Sequence, residues 1–191
     1  MPRKRRAVVL LSGGPGSAVA LALALDEGFE AHAVTLRQGS DDQKGAEAAR
    51  HVARQAGDVR HMIVDTDGAS LGGSRPGDGA ADPGLVGVNV AYALACAEAV
   101  GASDLFVGTC ASSGEGAVDW GANLLDALEH RAQVAARAGA GCSEQTCRGC
   151  AVAGRGCSGP IRVRAPLRGM SRSEVRRLAL SLGIDLSRAR E

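Results

Sequence analysis

The sequence predicts an α/β domain built on a doubly wound, five-stranded parallel sheet. Short apolar stretches alternate with helical periodicity along most of the chain, and a glycine-rich turn joins the first strand to the first helix. Alternation of this kind implies parallel strands joined by right-handed crossovers. The length of 191 residues suits one domain, and an aromatic content of 2% means that the core must be aliphatic and rich in alanine.

The predicted elements alternate in chain order. The five candidate strands are residues 6–12, 30–36, 59–66, 103–110 and 161–167. The candidate helices are residues 17–27, 43–56, 85–100, 120–138 and 171–182. Ser171, followed three residues later by Glu174, has the pattern of a capping box and marks the start of the last helix.

Two segments fit neither pattern. Residues 67–84 are rich in Gly, Pro and Asp and predict a long surface loop. Residues 138–160 carry a cluster of cysteines and predict a knuckle-like insertion. We therefore expect a single domain over residues 1–191, with a cysteine-rich insertion at 138–160.

Charge and hydropathy limit the partners. The net charge is +1 and the isoelectric point is near 7.7, which gives no electrostatic basis for binding nucleic acid or a membrane surface. The basic start "MPRKRR" is followed by an apolar run too short for a signal peptide, and no stretch approaches the ~20 apolar residues of a membrane span. These features predict a cytoplasmic protein.

The stretch "LSGGPGS", residues 11–17, lies between the first strand and the first helix. Ligands of open α/β sheets bind at the carboxyl ends of the strands, where helix N-termini point. Ser12 and Ser17 offer hydroxyls there, and Gly13 and Gly14 let backbone N–H groups approach an anion. The stretch is not a Walker A loop, because no Gly-Lys-Ser/Thr follows it. It is not a dinucleotide fingerprint either, because Val19 stands where the last glycine of that fingerprint is needed. A plain strand-to-helix turn is the alternative interpretation.

These residues resemble the SGGxDS signature of the PP-loop ATP pyrophosphatases, and within them the 7-cyano-7-deazaguanine synthase family. "AVVLLSGGPGS" resembles that family's first strand and loop, and "AVTLRQGS…AEAAR" its second strand and helix, usually VTFDYGQ…AR. "LVGVNVAYALACAEAVGASDLFVGTC" is similar to its VPGRN segment, "GAVDW" to its GYPDC, and "APLRGMSRSEVRRLALSLGIDL" to its closing PL…KAE…LA…LG block. The resemblance covers most of the chain except residues 67–84 and the cysteine insertion.

The resemblance implies an ATP-dependent ligase. In such an enzyme ATP activates the carboxylate of a 7-deazaguanine as its adenylate, ammonia attacks, and AMP and pyrophosphate leave. It implies that Gly87 and Asn89 contact the substrate, that Asp119 is the catalytic residue, and that the phosphates of ATP lie against the loop of Leu11, Ser12, Gly13, Gly14, Pro15, Gly16 and Ser17. A homodimer is ordinary in this family, and the residues themselves give no indication of one.

Three departures affect the expected site. Gly16 replaces the aspartate of SGGxDS, which is expected to help hold Mg²⁺, so the metal loses an oxygen ligand. Gln38 replaces the tyrosine of DYGQ, and Val88 replaces the arginine of PGRN. Two further hypotheses therefore stay open. One is a catalytically degenerate homologue that binds a nucleotide or a partner protein, and the other is a PP-loop enzyme with another substrate, such as a tRNA base. Asp65, Asp67 or Asp119 would offset the loss of the aspartate if they lay at the strand tips.

The cysteine cluster predicts a metal site. Its spacing is C-x₄-C-x₂-C-x₆-C, and four thiolates form a standard structural zinc set. We expect Zn²⁺ there, with an iron–sulfur cluster or free thiols as alternatives. The synthase family carries its own four-cysteine zinc site after the closing block, whereas here the cluster precedes that block. The four predicted ligands are Cys142, Cys147, Cys150 and Cys157.

The remaining cysteines, the histidines and the tryptophan predict structural roles. Cys96 and Cys110 are expected to be buried as small apolar side chains. None of the four histidines, His32, His51, His61 and His130, stands beside a cysteine or a Ser/Asp pair, so satisfied structural roles are expected for all of them. Trp120 either stacks on a purine base or caps the core.

Overall fold

The computed structural model describes residues 4–38, 43–66, 83–110, 125–127, 130 and 161–189. Its strands are β1 (Arg6–Leu10), β2 (Glu30–Gln38), β3 (Arg60–Thr66), β4 (Asp104–Val107) and β5 (Arg162–Arg164). Its helices are α1 (Pro15–Asp26), α2 (Gln43–Gln55), α3 (Pro83–Val100) and α4 (Arg172–Ser181). Among the residues described, no helix has the length and apolar character needed to cross a membrane.

The five strands form one parallel sheet in the order β3-β2-β1-β4-β5, which confirms the predicted fold class. The chain builds outward from β1 to β3 and then crosses back to place β4 on the other side of β1. The strand order therefore reverses between β1 and β4. Ligands of open α/β sheets bind in the crevice at such a switch point, outside the carboxyl ends of the strands.

Helices cover both faces of the sheet. Ala7 and Val9 of β1 face α1 and α2, together with the alanines of β2. Val8 of β1 faces the other side, where it packs with Val34, Leu105 and residues of α3. Alternate residues of β1, β2 and β4 thus enter different cores, as expected of strands buried on both faces. The side chains of these cores are aliphatic except for Phe29 and Phe106, whose rings meet edge to face.

Helix α4 packs on the far side of α1. Val19 of α1 lies in a small cluster with Leu167, Val175 and Ala179, all of them buried. The helix begins at the predicted capping box, in which the Ser171 hydroxyl accepts from the Glu174 N–H and the Glu174 carboxylate accepts from the Ser171 N–H. Helix α1 is consequently held between the sheet and α4.

The predicted and observed boundaries differ where loops begin. Strand β1 ends at Leu10 rather than at residue 12: Leu11 still donates its N–H to the Val34 carbonyl, and the chain then leaves the sheet into the glycine-rich stretch. Helix α1 begins at Pro15 and not at residue 17, because a proline suits the first helical position. Of the helix predicted at 120–138, residues 125–127 and 130 are described and are helical, and Leu125 packs in the α3 core. The predicted insertion at 138–160 and residues 67–82 of the predicted loop lie outside the described residues.

Candidate functional site at the switch point

The loop between β1 and α1 is held by the hydroxyl of Ser17. The Ser17 Oγ accepts hydrogen bonds from the N–H and the hydroxyl of Ser12, each at 3.2 Å, and donates to the Gly14 carbonyl at 2.9 Å. Ser17 is 4% exposed, whereas Ser12 lies at the surface. The Ser12 N–H therefore serves the loop itself, and the Ser17 hydroxyl, predicted to be offered to a ligand, shapes the loop from inside.

Gly13 is required at its position for two independent reasons. Its φ of +82° lies in the left-handed region, which disfavours residues with a Cβ. A Cβ at this position would also lie 2.5 Å from the Gly45 carbonyl oxygen and 2.8 Å from the Ala48 Cβ. The first turns of α2 thus rest directly on the loop, as the small residues of "AEAAR" permit.

The N-terminus of α1 lacks a side-chain cap. Its N-cap residue, Gly14, offers no side-chain acceptor, and the first turn contains no acidic residue. Pro15 has no N–H, so the donors left at this end are the N–H groups of Gly14, Gly16 and Ser17, which a helix does not satisfy internally. Together with the positive end of the helix dipole, these groups form a place that favours an anion.

Gly16 faces Gly108, the residue that follows β4. A Cβ on Gly16 would lie 2.3 Å from the Gly108 carbonyl oxygen, and a Cβ on Gly108 would lie 2.4 Å from the Gly16 carbonyl carbon and oxygen. The two backbones therefore touch where the sheet order reverses. We call this the Gly16–Gly108 contact. Gly16 is not simply a missing ligand, because the observed backbone leaves no space for an aspartate there.

Asp65 stands at the carboxyl end of β3, but its carboxylate is occupied. The Arg37 guanidinium donates to both of its oxygens, at 2.5 and 2.7 Å. This pairing lowers the pKa of Asp65 below its usual range. Strand β2 also lies between β3 and β1, so Asp65 is two strands away from the loop. It is a poor replacement for the carboxylate absent at residue 16.

The described residues next to the loop do not form a magnesium site on their own. Ser12 offers a hydroxyl, the Ser17 hydroxyl is turned into the loop, and Gly108 and Thr109 follow β4; none of these residues carries the carboxylate that Mg²⁺ prefers. Within the described ranges, no group of three or more His, Cys, Asp or Glu side chains is arranged to hold a metal ion. The donors present suit the phosphates of a nucleotide better than they suit a cation.

The two residues predicted to contact substrate lie in the first half of α3. Gly87 and Asn89 are both half-buried, with the exposed Val88 between them. Helix α3 follows β3 and precedes β4, so its first half lies towards the carboxyl edge of the sheet, as the loop does. It packs on the opposite face from α1. The topology thus places both residues at the edge that carries the switch point.

Other predicted site residues lie outside the described part of the chain. These are Asp67, Asp119, Trp120 and the four predicted zinc ligands Cys142, Cys147, Cys150 and Cys157. Cys96 and Cys110 are free thiols, half-buried against the α3 core and the α1–α4 cluster respectively. Burial raises the pKa of the Cys96 thiol, which fits the predicted role as a small apolar side chain.

The histidines differ in how well they are satisfied. The His51 Nε2 lies 2.9 Å from a carboxylate oxygen of Asp185, which joins α2 to the segment after α4. The prediction that every histidine is satisfied is wrong for His32, whose Nε2 is buried without a hydrogen-bond partner, 3.6 Å from Glu30 Oε1. Burial lowers the pKa of His32, so the ring is kept neutral at the amino edge of the sheet, away from the loop.

Sequence reasoning missed two residues that hold the start of the loop. The Thr35 hydroxyl donates to the Leu11 carbonyl at 2.6 Å, and the His61 Nε2 lies 2.8 Å from the same hydroxyl oxygen. Thr35 is 3% exposed. The available signal was the Thr35 hydroxyl between Val34 and Leu36 in a strand expected to be buried, because a buried polar group needs a partner.

Comparison with known proteins supports the resemblance. The model of the family described as queuosine biosynthesis protein QueC matches residues 6–75, which include the loop and the first three strands. The 7-cyano-7-deazaguanine synthase of Ralstonia pickettii is 38% identical over 197 residues, covering 95% of this chain and 81% of that protein. The synthase of Geobacter sulfurreducens is 35% identical, covering 95% of this chain and 76% of that protein.

Solved structures share the fold at low identity. A 4-thiouridine synthetase in complex with RNA and bound ATP superposes with a TM-score of 0.55 at 22% identity, covering 94% of this chain and 41% of that one. A predicted tRNA methyltransferase subunit from Methanocaldococcus jannaschii superposes with a TM-score of 0.51 at 18% identity, covering 92% of this chain and 74% of that one. The fold is thus that of the PP-loop ATPases, and the extent of the sequence identity shows that this chain belongs to the 7-cyano-7-deazaguanine synthase family.

Proposed function

We propose that this chain binds ATP at the loop of residues 11–17 and uses it to activate the carboxylate of a 7-deazaguanine for reaction with ammonia. The observation that carries the proposal is the α1 N-terminus. This end of the helix has no side-chain cap and no acidic residue, and it follows a glycine loop at the switch point of the sheet. The chain also belongs to a family of 7-cyano-7-deazaguanine synthases.

The reaction balances as two displacements. A carboxylate oxygen attacks the α-phosphorus of ATP, and pyrophosphate leaves. Ammonia then adds to the carbonyl carbon of the acyl adenylate, AMP leaves, and a proton is lost to give the amide, the precursor of the nitrile. The N–H groups of Gly16 and Ser17 would face the phosphates, and the exposed Ser12 hydroxyl stands beside them.

The remaining groups of the predicted site are part of the same proposal. Gly87 and Asn89 would contact the deazaguanine from α3, and Asp119 would act at the reacting carboxylate. The thiolates of Cys142, Cys147, Cys150 and Cys157 would hold a structural zinc ion, for which four sulfur ligands are a suitable set. Mg²⁺ would reach the site with the nucleotide, since the described residues of the loop supply no carboxylate for it.

The test is the release of AMP and pyrophosphate from Mg·ATP in the presence of 7-carboxy-7-deazaguanine and ammonium. We expect AMP only when all three reactants are present. Ser17→Ala removes the hydroxyl that shapes the loop and should abolish or strongly reduce the signal. Ser181→Ala is a matched control, because the Ser181 hydroxyl also donates to a carbonyl three residues earlier, that of Leu178, far from the loop.

A second candidate is a homologue that binds the nucleotide without turnover. The Gly16–Gly108 contact favours it, because it closes the position at which the family carries a carboxylate. This candidate predicts ATP binding by calorimetry without AMP formation, and binding that Ser17→Ala weakens. If the wild-type chain neither binds ATP nor forms AMP, both functions are wrong.

A further inference from the structure

The start of the loop is held by strand β2, which hydrogen-bonds both the N–H and the carbonyl of Leu11. The Leu11 N–H donates to the Val34 carbonyl at 2.8 Å, and the Leu11 carbonyl accepts from the Thr35 hydroxyl at 2.6 Å. Leu11, the first residue of the loop, is fully buried, whereas the next residue, Ser12, is exposed. The direction in which the chain leaves the sheet is therefore set by these two hydrogen bonds.

The His61 ring completes this arrangement from β3. In the parallel register Ala33 pairs with His61 and Thr35 with Ile63, so the side chains of Thr35 and His61 share the face of the sheet covered by α2. The His61 Nε2 lies 2.8 Å from the Thr35 Oγ1. Three groups in a row, the His61 imidazole, the Thr35 hydroxyl and the Leu11 carbonyl, thus run from β3 across β2 to the first residue of the loop.

The direction of each hydrogen bond follows from the donors available. A carbonyl only accepts, so the single hydroxyl hydrogen of Thr35 must point at Leu11. The Thr35 oxygen then accepts from His61, which requires a hydrogen on the His61 Nε2. Burial, with a smaller contribution from the Arg50 guanidinium, lowers the pKa of His61, which keeps the ring neutral near pH 7.

We propose that His61 and Thr35 are positioning residues for the nucleotide-binding loop, with His61 as the Nε2–H tautomer fixing the Thr35 hydroxyl on the Leu11 carbonyl. Neither residue touches the ligand. They act by holding the point from which Ser12 and Gly13 leave the sheet. The effect on nucleotide binding rests on the proposed function, whereas the hydrogen-bond arrangement does not.

The first test needs no ligand. Nitrogen-15 NMR of the whole protein should show His61 as a neutral ring with its hydrogen on Nε2. Thr35→Val should shift the amide resonances of Ser12, Gly13 and Gly14. Thr66→Val is the matched control, since the Thr66 hydroxyl donates to a carbonyl of the adjacent strand, that of Arg37, and does not touch the loop. An Nδ1–H tautomer of His61, or equal shifts from both threonine variants, would overturn the proposal.

The second test measures the affinity for Mg·ATP by calorimetry. Thr35→Val should weaken binding by about 3- to 10-fold, the range expected from one hydrogen bond. Thr35→Ser keeps the hydroxyl and His61→Gln keeps an N–H donor, so the affinity of each for Mg·ATP should stay within about 2-fold of wild type. His61→Ala keeps no donor and should bind Mg·ATP more weakly than that. A purely structural role would instead lower the stability of these variants and leave the affinity of the folded fraction unchanged.

The two failures can be told apart. If the wild-type chain does not bind ATP, the proposed function fails, and the tautomer and the loop resonances still decide the positioning role. If the wild-type chain binds ATP and Thr35→Val binds it as tightly as Thr66→Val does, the positioning role is wrong while the proposed function stands.

Discussion

Replacing Gly16 by alanine tests the Gly16–Gly108 contact most directly. The added Cβ would lie 2.3 Å from the Gly108 carbonyl oxygen, about 1 Å short of ordinary van der Waals contact. The neighbour is backbone at the end of a central strand and cannot rotate away. Overpacking lowers the free energy of unfolding by about 1–3 kcal/mol, and we expect a value near the upper end of that range where the clash is with backbone. The better helix propensity of alanine offsets at most about 1 kcal/mol of this loss of stability.

We therefore expect Gly16→Ala to lower the free energy of unfolding by about 2 kcal/mol, which corresponds to a fall in Tm of about 4–8 °C for a chain of this size. Urea titration followed by circular dichroism measures the first quantity, and a thermal scan the second. Gly16→Asp should be destabilised at least as much, because the clash begins at the Cβ. It should not restore the family's metal ligand in an otherwise unchanged chain.

A double-mutant cycle isolates the contact. Gly108→Ala alone should be destabilising for the same reason, and the double variant should be less destabilised than the sum of the single effects by about 1 kcal/mol or more, because the first methyl already separates the backbones. Gly28→Ala is the control partner. A Cβ at residue 28 would meet nothing within 4 Å, so Gly28→Ala should be destabilising only through its φ of +80°. The loss of stability from Gly28→Ala and that from Gly16→Ala should therefore add. Unchanged stability of Gly16→Ala would refute this reasoning.

Three further predictions concern charge and metal. Hydrogen bonds from Ser187, with a smaller contribution from His51, lower the pKa of Asp185 from 3.8 to about 2. The stability that this carboxylate contributes should therefore be present above about pH 4 and be lost as the pH falls towards 2. Urea titrations of wild type and Asp185→Asn should accordingly differ at pH 7 and converge at pH 2. Asp65→Asn should leave the Mg²⁺ dependence of ATP binding unchanged by calorimetry, because Arg37 already occupies the carboxylate; a marked change would identify Asp65 as a metal ligand. Cys147→Ser should reduce zinc, measured by elemental analysis, from about one ion per chain to about none, whereas Cys96→Ala should retain it; equal zinc in both would contradict the four-cysteine site.

The sheet could be predicted because the pattern that specifies it is local. Each strand is a short apolar run and each helix carries its own periodicity, so the alternation fixed the parallel arrangement before any contact was known. The capping box at Ser171 was equally visible, since its two partners are three residues apart. The ends of β1, β4 and β5 were predicted too long, since apolar residues such as Leu11 follow the last residue of the strand, whereas β2 extends to Gln38, two residues past its predicted end.

The geometry of the site depends on contacts that a linear pattern does not contain. The glycine loop was predicted as an anion site, yet Gly16 was interpreted as a lost ligand. Its contact with Gly108 joins two distant parts of the sequence. The link from Thr35 to His61 likewise exists only once β2 and β3 are side by side. Residue type identified the chemistry, and tertiary packing decided which groups stay available for it.

The position of α1 between the sheet and α4 has a consequence for synthesis on the ribosome. The loop is made early, but the backbone that it touches at Gly108 and the side chains that cover Val19 come from much later in the sequence. At about 5–20 residues per second, α4 follows α1 by on the order of ten seconds. During that interval the nascent chain exposes the apolar side of α1. The first part of the site to be translated is thus among the last to be completed.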